Sequence, residues 1–177
     1  MDTFLLAEKS GFDTIWTGDH LAFGPDEQIL DTWMTMTYIA MNTKKVKIGT
    51  AVTDPHRRHP AVLAQMGMTM DVLTKGRFIL GLGVGEAMNL DPYGIKWDHP
   101  LSRLREAISV IKKLWTEEVS DFEGEFFTLR SAYLEPKPTQ KPYPPIWIGG
   151  QTVKTLELVG KMADGWVPGG STPEIYH

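Results

Sequence analysis

The sequence predicts an α/β fold built on a parallel sheet, and three observations support this prediction. Short β-rich runs alternate with helical patterns along the chain, and each run ends in residues suited to a loop. The first three runs lie roughly thirty residues apart, which is the length of one βαβ unit. The third run, GRFILGLGV, is continuously apolar, as parallel strands covered on both faces are.

The first half of the chain begins with alternating helices and strands. The predicted elements are, in order, a helix at 2–9, a strand at 14–16, a helix at 33–41 and a strand at 46–49. Gly11 ends the first helix, because glycine readily adopts the left-handed conformation that follows a helix. Asp31 precedes the second helix. Pro60 suits the first position of a third helix, where its missing N–H costs nothing.

The second half continues the alternation after GRFILGLGV. The clearest amphipathic helix has apolar residues at helical spacing, namely Leu101, Leu104, Ile108, Ile111 and Trp115. VSDFEGEFFTL predicts a small hairpin that turns near Gly124, and EPKPTQKPYPP predicts an extended surface connection because proline excludes helix and central strand. The remaining predicted elements are a strand in IWIGG, a helix in TVKTLELVGKMA and a strand in DGWVPGG.

Composition and charge exclude several classes of function. A chain of 177 residues that is 42% hydrophobic can bury one core, so we expect a single domain over 1–177. Nucleic-acid binding needs a basic surface, whereas this chain has 18 basic against 22 acidic residues. The absence of cysteine excludes disulfides and thiolate chemistry. The N-terminal residues predict neither a signal peptide nor a membrane span, so a cytoplasmic protein is expected.

Polar or glycine-rich segments follow five of the predicted strands. They are TGDH (17–20), GTAVTD (49–54), GVGEAMN (83–89), GGQT (149–152) and PGGST (168–172). The carboxyl ends of parallel strands lie at one edge of a sheet, so these segments should converge there and form a site. The spacing of Gly81, Gly83 and Gly85 matches neither the dinucleotide fingerprint nor the P-loop. Alternate glycines instead allow a flat ligand or another backbone to approach closely.

Two titratable side chains in these segments are candidates for acid–base chemistry. His20 titrates near neutrality and the neighbouring Asp19 could raise its pKa, although a loop histidine without chemistry explains the pattern equally well. Glu86 is a second candidate, and its structural alternative is an acidic residue at a helix N-terminus that interacts favourably with the helix dipole. His56 and His59 lack the spacing of a metal pair, so no metal site is predicted. Between these histidines, Arg57 and Arg58 could contact an anionic ligand or be solvated.

Several longer segments together resemble one known family. They are SGFDTIWTGDH, IGTAVTDPHRRHPAVLAQ, GRFILGLGVGEAMN, LREAISVIKKLW, PPIWIGG and ADGW. In this order they are similar to the bacterial luciferase-like flavin and deazaflavin oxidoreductases, and GVGEAMN with an upstream DH pair is most similar to the branch that uses coenzyme F-420, an 8-hydroxy-5-deazaflavin. The resemblance implies a (β/α)8 TIM barrel with the cofactor at the carboxyl end of its strands.

The resemblance also implies roles for individual residues. His20 and Glu86 match the residues that flank the hydride-transfer centre, as base and as acid or cofactor-proton partner. The positions that match cofactor contacts are Asp19, Thr50, Ala51, Thr53, Val84, Gly85, Asn89, Gly149 and Gly150. Thr50, Ala51 and Thr53 match the segment behind the deazaflavin ring, where a non-proline cis peptide is expected between Thr50 and Ala51. Gly149 and Gly150 match the turn that admits the cofactor's phosphate tail.

The chain departs from the family pattern in two respects. The tryptophan that follows the DH pair in the dehydrogenases is absent, and Phe23 is the only nearby aromatic residue; the family's sugar-phosphate lysine is also missing near VPGGST. The matched segments correspond to about strands two to six, whereas a full barrel needs about 200 to 250 residues. This partial barrel lacks the first strand and the last two, so its exposed sheet edges predict a homodimer or higher homo-oligomer.

The resemblance leads to three functional hypotheses. In the first, the chain is an oxidoreductase that transfers a hydride between coenzyme F-420 and a small organic substrate, with His20 and Glu86 handling the protons. An FMN-dependent monooxygenase of the same fold is the second. The third is a non-catalytic shortened barrel with a ligand-binding or assembly role.

Overall fold

The computed structural model describes residues 2–22, 24, 26 and 28–169. The strands in this part of the chain are β1 (Thr14–Thr17), β2 (Lys47–Thr50), β3 (Phe78–Leu82), β4 (Ser120–Glu123), β5 (Thr128–Ala132), β6 (Ile146–Gly149) and β7 (Gly165–Val167). The helices are α1 (Asp2–Lys9), α2 (Thr32–Asn42), α3 (Pro60–Thr74), α4 (Ala87–Leu90), α5 (Pro100–Thr116) and α6 (Val153–Met162), with a 3-10 turn at Asp91–Tyr93.

The predicted α/β alternation is confirmed. Among the described residues, five strands form a curled, wholly parallel sheet in the order β1-β2-β3-β6-β7. β4 and β5 form the predicted antiparallel hairpin outside this sheet. The segment 135–145 contains no helix or strand, as its prolines predicted, and has cis bonds at Glu135–Pro136 and Lys141–Pro142. Phe23 and residues 170–172 of the PGGST segment lie outside the described residues.

The long helices α3 and α5 pack beside the sheet and form much of the core. The apolar stripe predicted for α5 is buried from Leu104 through Trp115, whereas Leu101 is half-buried. The indole N–H of Trp115 donates to the carbonyl oxygen of Ala64 in α3 at 2.8 Å. A side chain at Gly67 would meet this indole at 2.9 Å, so glycine allows α3 and α5 to approach closely.

Polar residues close the edge of the sheet where the strands begin, which we call the lower edge. The Arg77 guanidinium donates hydrogen bonds to carbonyl oxygens at the ends of α2 and α3 and before β2, those of Ala40, Thr43, Val46 and Thr74. The Glu8 carboxylate accepts backbone N–H groups from Lys44, Lys45 and Val46. The Arg77 contacts satisfy carbonyl oxygens that helix ends otherwise leave unpaired, and Glu8 pairs the N–H groups of the connection between α2 and β2.

The hairpin is fixed by one carboxylate of α5. Glu106 accepts the backbone N–H groups of Glu125 and Phe126 at 2.9 and 3.0 Å, and that of Phe127 at 3.3 Å. Arg103, one turn earlier, lies over the Phe126 ring with 4.5 Å between the guanidinium carbon and the ring centroid. The hairpin is therefore held against the helix rather than projecting from it.

In the described part of the chain, none of the helices is long and apolar enough to cross a membrane.

Candidate functional site

A cavity of about 590 Å³ opens at the edge of the sheet where the strands end, which we call the upper edge. All five predicted segments contribute to its wall, the last one through Gly169. The structure brings most of the predicted site residues together here, and those lining the cavity are Asp19, His20, Ala51, Val84, Gly85, Glu86, Asn89, Gly149 and Gly150. Thr50 and Thr53 are fully buried and do not line it.

His20, Asn89 and Glu86 form one hydrogen-bonded cluster in the cavity wall. The Asn89 side-chain nitrogen lies 2.9 Å from His20 Nδ1 and 2.6 Å from Glu86 Oε2. His20 follows β1, whereas Glu86 and Asn89 follow β3, so the fold joins residues 69 positions apart. Glu86 occupies the N-cap position of α4 but its side chain makes no capping hydrogen bond. Glu86 therefore stands at a helix N-terminus, as its structural alternative expects, but its carboxylate accepts from Asn89 and not from a capping N–H group.

The environment of His20 favours its neutral form. Burial lowers the pKa of His20 below its ordinary value, and this effect exceeds the opposing attraction of Glu86, Asp19 and Asp54. The positive charge of Arg57 lowers the same pKa further. Asp19 raises this pKa, as expected, but desolvation of the imidazolium outweighs the adjacent carboxylate, so the net shift is downward.

Asp19 belongs to a buried network of ion pairs in the cavity wall. Its two carboxylate oxygens accept from Arg57 at 3.3 Å and from Arg58 at 2.7 Å. Arg57 also donates to Asp54 at 2.6 Å, and its side chain is only 7% exposed. Neither arginine is a freely solvated charge, since the Arg58 side chain is 19% exposed and also reaches Asp31. The network fixes the backbone directly before His20.

The chain changes direction after β2, one residue later than expected. The non-proline cis bond joins Ala51 and Val52, so its prediction between Thr50 and Ala51 was wrong. Thr50 still belongs to the sheet, because its hydroxyl exchanges hydrogen bonds with the backbone of Gly81 at 2.7 and 2.9 Å. The Ala51 N–H likewise continues the ladder by donating to Thr17. After Ala51 the backbone leaves β1 but stays beside β3, because the Thr53 N–H donates to the Gly81 carbonyl oxygen and the Thr53 carbonyl oxygen accepts from the Gly83 N–H.

The alternate glycines admit neighbouring protein groups. A side chain at Gly81 would clash with the carbonyl oxygen of Thr50, so this glycine serves the close approach of another backbone. Side chains at Gly83 and Gly149 would both meet the Val52 side chain. Val52 thus occupies a notch between the ends of β3 and β6 and lines the cavity beside both glycines.

The segment after the glycines lies in the cavity wall, and a tryptophan from the following loop contacts it. The Trp97 indole N–H donates to the Val84 carbonyl oxygen at 2.9 Å. His56 Nδ1 lies 3.2 Å from the Lys96 carbonyl oxygen, whereas His59 caps α3 by accepting from Ala61. Among the described residues, no group of histidine and carboxylate side chains is arranged to hold a metal ion.

Some lining residues were not predicted individually. Val52, Asp54, Gln151 and Thr152 lie in the cavity wall, and each belongs to a strand-end segment that was predicted only as a whole. Thr152 also caps α6, since its hydroxyl accepts from the Thr155 N–H. Position within a strand-end segment was the available indication for these residues, and it does not distinguish lining from packed side chains.

Comparisons with known proteins agree with this architecture. The family model described as "Luciferase-like monooxygenase" matches residues 1–177. A phthiodiolone/phenolphthiodiolone dimycocerosates ketoreductase of Mycobacterium kansasii is 33% identical, with 94% of this chain and 51% of that protein covered. An F420-dependent glucose-6-phosphate dehydrogenase of Microbacterium testaceum is 35% identical, with 99% of this chain and 54% of that protein covered.

The solved structures include a similar fold with a bound ligand. An F420-dependent secondary alcohol dehydrogenase in complex with an F420-acetone adduct superposes with a TM-score of 0.90 and 32% identity. The match covers 98% of this chain and 54% of that structure. The chain therefore spans about half the length of the curated relatives it matches, and its curled sheet corresponds to half of a luciferase-like barrel.

Proposed function

Because the chain belongs to the luciferase-like monooxygenase family, we propose that it is an oxidoreductase that transfers a hydride between coenzyme F-420 and a small carbonyl compound or alcohol. The observation that carries this proposal is the cluster of His20, Asn89 and Glu86 in the wall of a cavity of about 590 Å³. The similarity to an F420-dependent dehydrogenase and to the structure with an F420-acetone adduct supports the choice of cofactor.

The residues of the cavity fit a flat ring with an anionic tail. Cavities that hold cofactors commonly measure about 300 to 1,000 Å³ and combine apolar walls with a few polar groups. Ala51 and Val52 supply an apolar surface for a ring. Gly149 and Gly150 leave the backbone before α6 without side chains, and this helix N-terminus suits a phosphate.

The polar cluster would handle protons in the reaction. A bound deazaflavin supplies or accepts the hydride, and an oxygen of the substrate gains or loses negative charge at the same time. His20 would contact that oxygen, and the Glu86 carboxylate would exchange a proton with a ring nitrogen. The Arg57 and Asp54 pair would hold Asp19 and the following His20 in place.

Titration of the protein with oxidised F-420 and, separately, with FMN tests the cofactor. We expect saturable binding of F-420, visible as a change in its absorbance at about 400 to 420 nm. Saturable binding of FMN alone would favour the monooxygenase hypothesis. A folded sample that binds neither compound would contradict the proposal and favour the non-catalytic shortened barrel.

Two variants test the assigned proton chemistry. His20→Asn and Glu86→Gln should each lower the hydride-transfer rate by about 100-fold, because the substrate oxygen loses its partner at His20 and the ring nitrogen loses its proton partner at Glu86. Binding of F-420 should change much less, because the apolar surface and the glycine turn remain. Unchanged rates in both variants would contradict the roles given to these side chains.

We further propose that the protein is cytoplasmic and self-associates through α2 and α3. Met34 and Met41 of α2 are 78% and 69% exposed, and Met34 and Met66 line a groove between the two helices. A face of this kind is typical of protein interfaces. The double variant Met34→Glu, Met41→Glu should shift the mass measured by light scattering to that of a monomer. Val153→Glu is the matched control, since Val153 is 73% exposed on α6. A wild-type monomer would contradict this proposal.

A further inference from the structure

A single atom links the two titratable groups of the cavity. The Asn89 side-chain nitrogen lies within hydrogen-bond distance of both Glu86 Oε2 and His20 Nδ1. Asn89 is buried, and its own backbone N–H donates to the Glu86 carbonyl oxygen at 3.0 Å. The amide therefore has a fixed position between its two partners.

Hydrogen-bond chemistry limits how this cluster can be protonated. An ionised carboxylate only accepts, so the amide must turn its NH2 group rather than its oxygen towards Glu86. The second hydrogen of that NH2 group reaches His20 Nδ1, which must then accept. A neutral imidazole that accepts at Nδ1 carries its proton at Nε2.

We propose that Asn89 is a positioning residue that holds His20 as a neutral imidazole protonated at Nε2. The Nε2 atom of His20 then carries an N–H donor and is not a basic nitrogen. The matching substrate atom is one that only accepts, namely a carbonyl oxygen. This assignment of substrate chemistry rests on the proposed function, whereas the assignment of the proton does not.

The charges around His20 agree with a neutral ring. The groups that act on it are Glu86, Asp19 and Asp54, which favour the imidazolium, and Arg57, which opposes it together with burial. The balance lowers the pKa of His20. Protonation of Nδ1 would also bring an N–H group against the Asn89 NH2 group. Asn89 therefore opposes the charged form as well as the other neutral tautomer.

Nitrogen NMR on the full chain, labelled with 15N-histidine and without cofactor, tests the proton position. The shifts of the two ring nitrogens distinguish a protonated from an unprotonated nitrogen, and the His20→Asn variant identifies the His20 signals. We expect Nε2 protonated and Nδ1 unprotonated at pH 7.5. A protonated Nδ1 in the wild-type chain would overturn the proposal.

Two variants with opposite expectations sharpen this test. Asn89→Asp places an acceptor beside Nδ1, so Nδ1 should become protonated and the pKa of His20 should rise by about one unit or more. Glu86→Gln still offers an oxygen to Asn89, so the wild-type tautomer should persist. If Asn89→Asp does not fold, Asn89→Leu should leave a mixture of the two tautomers. A folded Asn89 variant with the wild-type tautomer would also refute the role of this amide.

The two proposals fail in different ways. A chain that shows the expected tautomer but binds no F-420 retains the Asn89 role and loses the oxidoreductase function. A chain that binds F-420 with His20 protonated at Nδ1 retains the function and loses the Asn89 role. In that case His20 would enter the cavity as a base.

Discussion

The two edges of the parallel sheet use polar residues in opposite ways. At the lower edge, Arg77 donates hydrogen bonds to backbone carbonyl oxygens of neighbouring elements, and Glu8 accepts them from backbone N–H groups. At the upper edge, polar side chains line an open cavity. Within the described residues, the Thr53 hydroxyl and His56 Nε2 near that edge are buried without a hydrogen-bond partner.

This difference indicates that the polar residues of the lower edge stabilise the fold, whereas those of the upper edge line a cavity that can bind a ligand. Polar groups that are fully paired within the protein can stabilise the fold but cannot recognise a ligand. Groups that face a cavity can do so, and parallel α/β folds place their sites at the carboxyl ends of strands for this reason. Changes at the lower edge should therefore affect stability alone, whereas changes where β2 leaves the sheet should affect both properties.

The largest effect is expected at Gly81, where fold and site meet. Gly81→Ala would drive a methyl group into the Thr50 carbonyl oxygen and separate β2 from β3. We expect a loss of about 3 kcal/mol in the free energy of unfolding, measured with denaturant, together with weaker cofactor binding.

Gly160→Ala is the matched control for this change. Nothing lies within 4 Å of a side chain at this exposed position in α6, so alanine should stabilise the helix by about 0.5 to 1 kcal/mol. Equal effects of the two substitutions would refute the argument from close backbone approach.

A smaller effect is expected at the lower edge. Arg77→Met keeps an unbranched apolar stem but leaves the carbonyl oxygens of Ala40, Thr43 and Val46 without their donor. The free energy of unfolding should fall by about 2 kcal/mol. The affinity of the folded protein for its cofactor should stay the same, and a parallel loss of affinity would show that the two edges are coupled.

The smallest effect on stability is expected from a change of pH. As the pH falls, the upper edge should be destabilised first and the lower edge afterwards. Burial lowers the pKa values of His20, His56 and His59, all at the upper edge, so the unfolded chain binds more protons than the folded one. Stability should therefore decline as the pH falls below about 6.5, the ordinary histidine value. The exchange rates of backbone amide hydrogens should increase first in the segments that form the upper edge.

Acid should affect the lower edge only at a lower pH. The backbone N–H groups of Val46, Lys45 and Lys44 lower the pKa of Glu8, whose contribution is complete above its ordinary value of about 4.3. That contribution is lost as the pH falls through the lowered value of the folded state. Exchange that increases at both edges over the same pH range would contradict this order.

Local patterns in the sequence were sufficient for most of the fold. The start of α3 at Pro60 and the buried face of α5 follow from helix geometry, and β3 follows from a continuous apolar run. These features depend on neighbours in the chain, which a single sequence displays.

The site was predictable as a set of segments but not as a set of contacts. The bond between Asn89 and His20 spans 69 positions, and the pairing of Asp19 with Arg58 spans 39. Such pairs depend on how the loops pack against each other in the folded protein. The one-residue error in the cis bond has the same origin, since contacts with other strands, of Thr50 with Gly81 and of Ala51 with Thr17, show how far β2 extends.

Val52 makes the shape of the cavity depend on strand alignment. Its isopropyl group rests against Gly83, which follows β3, and Gly149, which ends β6. Both glycines must stand at the same height for one side chain to fit between them. Sliding β6 by one residue along β3 would reverse the direction of every β6 side chain and bring a different residue opposite Val52. The shape of the cavity wall at Val52 therefore depends on the register between β3 and β6.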